Sequence, residues 1–362
     1  MWALRSLDQT KYAVTAIGIT HDGDWVRSDS AAALLAGGLS ELTNRVEASG
    51  TRVDQQEVLA LELNSIGGFG PTDDVDAAPP VVLPMLHGPN GEDGTMQGLL
   101  EVAGVPFVGS GVLGSAVSMD KIVAKTLLGA AGIPQARYLS RAAWELPTPA
   151  EVVRFRVDCE DDFGWPMFVK PANLGSSVGV SKAHDPAEFA MAIDLAFSYD
   201  DWVIVEEAIN GREIEFAVLG NETPVVSIGG EILPGREFYD YDDKYLVDGS
   251  QSQVPAHLTP EELAEGQRLA LESYRVLRCE GLARADFFLD DGTVRPDGRT
   301  PRGWLINEIN TIPGCTPISM YPKLWEASGV SGPELLDRLI EHAIARYERR
   351  RGRVGRGRNT LG

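Results

Sequence analysis

Cysteine is scarce in this chain: there are three in 362 residues, Cys159, Cys279 and Cys315. They are odd in number, widely spaced and include no CxxC pair, which excludes a disulfide framework and fits a reducing compartment. Positive charge is also short. The 32 Lys and Arg residues face 53 Asp and Glu, for a formal charge of −21, which argues against broad binding to nucleic acid or anionic membranes. Any anionic substrate must therefore be drawn in by local clusters of Lys and Arg. No run of about 18 apolar residues is present, and the opening residues 1–8 lack the apolar h-region of a signal peptide, so a cytoplasmic location and no membrane partner are expected. Internal repeats are absent. What remains is 43% hydrophobic, ample for globular folding, and a chain of this length is expected to form two or three domains.

Three blocks can be separated. The first, residues 1–120, mixes a predicted strand at 12–20, a helix at 31–47, a buried strand at 81–86, a polar turn at 88–94, the helix Thr95–Ala103 and a short strand at 105–108. Alternation of this kind suggests a parallel α/β layer. The second, 121–206, carries a helix from Met119, a strand at 166–170, a Gly/Ser turn and a strand at 202–206. The third, 207–348, carries the remaining strands and the helices Pro260–Val276 and 332–350, and the Arg-rich residues 349–362 read as a disordered, solvated tail.

Residues 304–314, WLINEINTIPG, are the most informative segment. A strand's period of two puts Glu308 and Asn310 on one face, and the same period in 283–289 puts Arg284 and Asp286 on one face. If these two strands pair, two carboxylates, an amide and a guanidinium converge. Hard oxygen donors of this kind suit Mg²⁺, and with an adjacent arginine they can hold a metal-bound polyphosphate beside a developing anion. Taken singly, each motif also fits a strand end in solvent.

Upstream, 168–180 places Lys170 at a strand end before the small turn Gly175-Ser176-Ser177-Val178-Gly179. Turn amides of this sort can point at phosphate oxygens. The lysine precedes the glycines, so the pattern is not a Walker A loop, and Lys121 opens the same block. At 203–213 an apolar strand runs into an acidic turn containing Glu206, Ile209 and Glu213, whose acceptors could hold an adenine amino group and a ribose. His87, in the turn after a strand, reads either as a group steadying a first substrate or as a structural histidine.

With Lys170-x5-Ser176-Ser177-x-Gly179, Glu206, Arg284-x-Asp286 and Asn307-Glu308-x-Asn310-x3-Gly314 in that order, the chain resembles the ATP-grasp superfamily. Within it the resemblance is close to the D-alanine–D-alanine ligase family. It is carried also by Leu86-His87-Gly88-x2-Gly91-Glu92-Asp93-Gly94-Thr95, Ser118-Met119-Asp120-Lys121, residues 238–245 and Thr316-Pro317-Ile318-Ser319-Met320. The resemblance implies an α/β (α+β) chain of three domains, a Rossmann-like N-terminal domain preceding the two that make an ATP-grasp fold, with a mobile loop at 238–245 closing over the site.

The implied reaction transfers the γ-phosphate of ATP to the carboxylate of one D-alanine, after which the amine of a second attacks the acyl phosphate. The product dipeptide serves peptidoglycan synthesis in the bacterial cell wall. By motif, Asp286, Glu308 and Asn310 match the ligands of two Mg²⁺ or Mn²⁺ ions, and Lys121, Lys170 and Lys244 match the phosphate-contacting lysines. Ser177 joins the phosphate cover, and Glu206, Ile209 and Glu213 match the adenine and ribose contacts. Arg284 and the Gly314 amide match the oxyanion stabilisers, Ser176 and Tyr245 the catalytic pair, and Ser319 and Met320 the holders of the second substrate's carboxylate. The expected assembly is a homodimer. Closure of 238–245 would exclude water from a hydrolysable intermediate.

Two departures stand out. The family opens with a strand, a Gly-Gly turn and a Ser-x-Glu-His-type segment, to which nothing here corresponds. Residues 1–5 line up with the end of the following helix, so the N-terminal domain is expected to be shortened at its start, leaving the activity of this chain an open question. The hairpin 290–303, with Arg295, Arg299 and Arg302, is longer than the family needs and is expected to lie in solvent. The alternatives are a sister enzyme joining D-alanine to D-lactate or D-serine, and a nucleotide-binding protein with impaired turnover.

Overall fold

The computed structural model describes residues 2–19, 25–28, 51–53, 80–233, 251–292 and 300–353. The predicted helix at 31–47, the loop at 238–245 with Lys244 and Tyr245, and Arg295 and Arg299 lie outside the described residues. In chain order the elements are α1 (Trp2–Ser6), β1 (Ala16–Ile19), β2 (Trp25–Ser28), β3 (Thr51–Val53), α2 (Thr95–Ala103), α3 (Val112–Met119), α4 (Lys121–Ala130) and β4 (Tyr138–Ala142). Then come α5 (Pro149–Phe163), β5 (Met167–Pro171), β6 (Ser181–Ala183), α6 (Pro186–Phe197), β7 (Trp202–Glu207), β8 (Arg212–Gly220), β9 (Val225–Leu233) and β10 (Gln251–Gln253). The last are α7 (Pro260–Val276), β11 (Gly281–Asp290), β12 (Gly303–Asn310), α8 (Met320–Ala327) and α9 (Gly332–Arg351). The result is a mixed α/β architecture whose sheets are antiparallel. No helix among the described residues is long and apolar enough to cross a membrane.

The chain divides into two units, one of residues 1–84, 98–108 and 314–362 and the other of 85–97 and 109–313. In the first, α1 meets α9 closely: a Cβ at Gly332 would lie 3.1 Å from Trp2 and Ser6, and Asp337 accepts hydrogen bonds from Lys11 (2.8 Å) and Tyr12 (2.6 Å). Arg346 reaches the Phe107 carbonyl at 2.7 Å with its guanidinium 4.2 Å from that ring's centre. Among the described residues the parallel layer expected here is represented by a single bridge. Strands β1, β2 and β3 pair antiparallel, and 81–86 and 105–108 meet only through an isolated parallel Val82–Phe107 bridge. Pro80, Pro84 and Pro106 explain this, because a residue without an N–H cannot extend a ladder.

The second unit contains two sheets. A four-stranded one has the order β4-β7-β5-β6, and a five-stranded one the order β10-β9-β8-β11-β12. Each is built by readable local chemistry. Thr259 closes a capping box with Glu262, and Pro260 opens α7, while Asp185 caps α6 through the Ala187 and Glu188 amides. The four-stranded sheet packs on α5 and α6 around Phe155, Met167, Phe189 and Val205. Phe287 meets Phe216 and Trp304 edge-on, and Phe216 and Trp304 are tilted to each other, with centroids 5.6–6.0 Å apart on the five-stranded sheet. The helix expected from Met119 is two helices. Asp120 ends α3 and accepts hydrogen bonds from the Ile122 and Val123 amides, so Lys121 becomes the first residue of α4.

Candidate active site

Strand β11 lies between β8 and β12, and its register sets the chemistry. Arg284 stands opposite Asn310, and Asp286 stands opposite Glu308 on one side and Glu215 on the other. The two sequence-derived pairs are thus neighbours on one sheet face, with a β-bulge immediately after Asp286. The bulge shifts the register of the ladder, which resumes with Phe287 opposite Ile306, and re-aims the side chains beside it. Arg284 donates through Nε and Nη2 to both Asp286 oxygens, at 2.7 and 2.6 Å, and Nε lies 3.1 Å from Glu215 Oε2. Burial disfavours the guanidinium charge, but Asp286 and Glu215 outweigh it and hold Arg284 firmly protonated. At the strand end, Asn310 Oδ1 accepts from the Ile312 amide at 3.1 Å.

The lysines gather on the four-stranded sheet and α4. Lys170 donates to Glu206 Oε2 at 2.8 Å, and Lys125, one turn after Lys121 on α4, lies 3.3 Å from Glu206 Oε1. Burial alone would push the Glu206 carboxyl up, yet Lys125 and Lys170 bring it down to about 2. Burial lowers the proton affinity of both Lys121 and Lys125, with Glu308 and Glu206 respectively the main opposing charges. Lys121 donates to the Leu174 carbonyl, at the entrance of the Gly/Ser turn.

Ser176, Ser177 and Gly179 in that turn have φ of +54°, +59° and +71°. Two consecutive serines in the left-handed region are strained. Ile209 lies in the link between β7 and β8, and Glu213 stands opposite Phe288, one same-face step along β8 from Glu215.

Of the remaining sequence-derived residues, Gly314, Ser319 and Met320 are in the other unit, whereas His87 and Arg302 are in this one. Ser319 caps the start of α8 in position though not by a side-chain bond into the helix. Its Oγ instead accepts from the Thr316 amide at 3.0 Å, and a Cβ on Gly314 would sit 2.9 Å from that oxygen. Met320, the first residue of α8, is buried. His87 has an exposed surface, while the protein around it lowers its proton affinity despite a hydrogen bond to the Ile312 backbone. Arg302 departs from expectation. It does not simply lie in solvent, because its Nη1 donates to Glu207 Oε1 at 2.7 Å, and Arg137 holds the other Glu207 oxygen through Nε and Nη2 at 3.1 and 2.9 Å.

Sequence reasoning overlooked Lys125, Glu215 and Glu207. Lys125 carries a readable signal, four residues after Lys121 on a helix and hence on the same face, and Glu215 repeats the period of two from Glu213.

The donors fit the groups they are expected to hold. Among the described residues no three His, Cys, Asp or Glu side chains converge as a metal group, so a cation here would rely on Asp286, Glu308 and the Asn310 amide, with phosphate or water oxygens completing its shell. All are hard donors suited to Mg²⁺. A polyphosphate fits the cations: Lys125 and Lys170 both face the Glu206 carboxylate, Lys121 stands one turn away on α4, and the buried Lys125 Nζ has no geometrically good hydrogen-bond acceptor.

A Gly/Ser turn approached by Lys121 on one antiparallel sheet and an acid–amide–arginine row on the other are the parts that the sequence resemblance to the ATP-grasp class calls for. Comparisons with known proteins narrow this. The family model described as D-ala D-ala ligase C-terminus matches residues 127–341, and that for the D-ala D-ala ligase N-terminus matches 2–110. A D-alanine–D-alanine ligase of Acetivibrio thermocellus is 46% identical over 349 residues, covering 95% of this chain and 90% of its relative. One from Solibacter usitatus is 53% identical over 270 residues, covering 75% and 78%. Among solved structures, the D-alanine-D-alanine ligase of Coxiella burnetii superposes with a TM-score of 0.75 at 35% identity, covering 96% of this chain and 88% of that one. VanG D-Ala:D-Ser ligase of Enterococcus faecalis gives 0.74 at 33% identity, covering 94% of each. The chain belongs to the D-alanine–D-alanine ligase family.

Proposed function

We propose that this protein joins two D-alanine molecules at the cost of one ATP, through an acyl phosphate, to make D-alanyl-D-alanine for the cell wall, in the cytoplasm. The observation that carries the reading is the register of β11 and β12, which sets Asp286 opposite Glu308 and Arg284 opposite Asn310. Phosphoryl transfer to a carboxylate brings two anions together, so catalysis is mainly alignment and compensating charge. Two Mg²⁺ or Mn²⁺ ions, held by Asp286, Glu308 and Asn310, supply part of that charge. Lys121 and Lys170 draw in the phosphates, with Ser177 covering them and Lys244 completing the set from 238–245. Glu206, Ile209 and Glu213 hold the adenosine end.

Arg284 and the Gly314 amide stabilise the oxyanion that forms when the second amine attacks, Ser176 and Tyr245 orient the reactants, and Ser319 and Met320 take the second substrate's carboxylate. The domain reading is 121–206 and 207–348 flanking the nucleotide behind 1–120, and a homodimer is the proposed assembly.

The test is phosphate release with D-alanine, D-serine or D-lactate as second substrate, in the wild type and in Glu308→Gln. D-Alanine should support the fastest release, and the variant should lose at least about 100-fold while keeping its thermal midpoint, since outer ligands alone are worth 10–100-fold. Undiminished turnover in Glu308→Gln would sink the metal assignment, and preference for D-serine or D-lactate would move the protein to a sister activity.

A further inference from the structure

The turn 86–97 is held more tightly than a surface loop requires. Asp93 accepts from the Asn90 and Thr95 amides at 2.7 and 2.9 Å, and Gln97 bridges the Gly94 amide (3.0 Å) and the Gly91 carbonyl (2.8 Å). A Cβ on Gly91 would press to 2.7 Å of Leu86. Inside this frame sits Glu92, 8% exposed, a carboxylate that the assigned chemistry leaves without a role. Its Oε2 accepts from the Gly88 amide at 2.6 Å, and the carboxylate also takes a hydrogen bond from the Ile312 backbone. The same oxygen lies where a Cβ on Gly175, in the Gly/Ser turn, would stand 3.7 Å away. The His87 ring holds the Ile312 backbone as well. Ile312 in turn donates its amide to Asn310 Oδ1 at 3.1 Å.

Asn310 is therefore not oriented by β12 alone. Its side-chain oxygen shares the Ile312 peptide with Glu92, and that peptide follows the end of the strand, where no ladder holds it. We propose that Glu92 is a positioning residue for the metal site: by fixing the Ile312 peptide it sets the direction of the Asn310 amide, and so governs how tightly the site binds its divalent ion. The inference rests on the proposed role of Asn310 as a ligand. A buried carboxylate suits the task because it can accept from two amides at once. Glutamine offers a single acceptor oxygen, and its NH₂ would face one of the two N–H donors.

The experiment is Mn²⁺ titration of the 362-residue chain, saturated with a non-hydrolysable ATP analogue, with free Mn²⁺ followed by electron paramagnetic resonance. Metal activation of turnover and thermal midpoints are measured alongside. Glu92→Gln should weaken Mn²⁺ binding by about 10–100-fold, the range for outer partners of metal ligands, and much of its lost turnover should return at high Mn²⁺. Glu92→Asp, which keeps both acceptors on a shorter arm, should fall between, and it serves if Glu92→Gln fails to fold. A thermal midpoint lowered in the variants with wild-type Mn²⁺ binding would reduce Glu92 to a fold-stabilising role and overturn the inference. Asn310→Ala separates the two readings. If it binds Mn²⁺ as the wild type does, the ligand assignment fails; if it loses binding while the Glu92 variants do not, only the positioning role fails.

Discussion

At the scale of single residues, the most telling is Lys125. A buried ammonium whose nearest acceptor is a carboxylate 3.3 Å away costs the empty protein stability, because desolvation is incompletely offset. Replacing it with Met should leave the thermal midpoint of the ligand-free protein unchanged or a few degrees higher, while the KM for ATP rises about tenfold. A lower midpoint with unchanged KM would mean that Lys125 serves the fold alone. Glu206 makes the complementary case. Its folded-state carboxyl lies near 2, below the ordinary 4.5, so its stabilisation is complete above pH 4.5 and is lost as the pH falls towards 2. The stability gap between the wild type and Glu206→Gln should therefore be constant at neutral pH and shrink through that window. A gap independent of pH down to 2 would contradict the ion pairing. Residue chemistry of this kind was only partly legible beforehand. Alternation in 283–289 and 304–310 revealed Arg284, Asp286, Glu308 and Asn310, whereas Glu207 became visible only when Arg137 and Arg302 were brought to it.

At the scale of elements, the helices with strong boundary signals were readable: Thr95–Ala103 and Pro260–Val276 lie where the sequence places them. Strands 81–86 and 105–108 were not, since apolar runs mark burial while flanking prolines decide whether a ladder can form. The hairpin 290–303 shows the same limit, because its composition reads as solvated yet Arg302 binds a carboxylate on β7. That ion pair ties the β11–β12 hairpin to β7, the strand that carries Glu206 and leads to Ile209 and Glu213. Arg302→Ala should cost only about 1 kcal/mol of stability, as for a partly exposed pair, but raise the KM for ATP several-fold with little change in that for D-alanine. Restoration by Arg302→Lys would support the ionic link, and an unchanged KM for ATP would remove the hairpin from the nucleotide site.

At the scale of the whole molecule, an acidic chain handles anionic substrates by concentrating its few cations. Lys121, Lys125, Lys170 and Arg284 all belong to the unit of residues 85–97 and 109–313, so local charge, rather than the net −21, is what ATP meets. The free cysteines fit the same picture of a protein without disulfides: Cys159, Cys279 and Cys315 are buried, and burial pushes their thiols up to between about 11 and 12, out of reach of ready oxidation. The central claim is the coupled formation of a dipeptide. Incubation of the protein with ATP, Mg²⁺ and D-alanine, followed by quantitative mass spectrometry of the products, tests it most directly. The account predicts D-alanyl-D-alanine, ADP and phosphate in equal amounts; ADP and phosphate without dipeptide, or no turnover at saturating D-alanine, would contradict it.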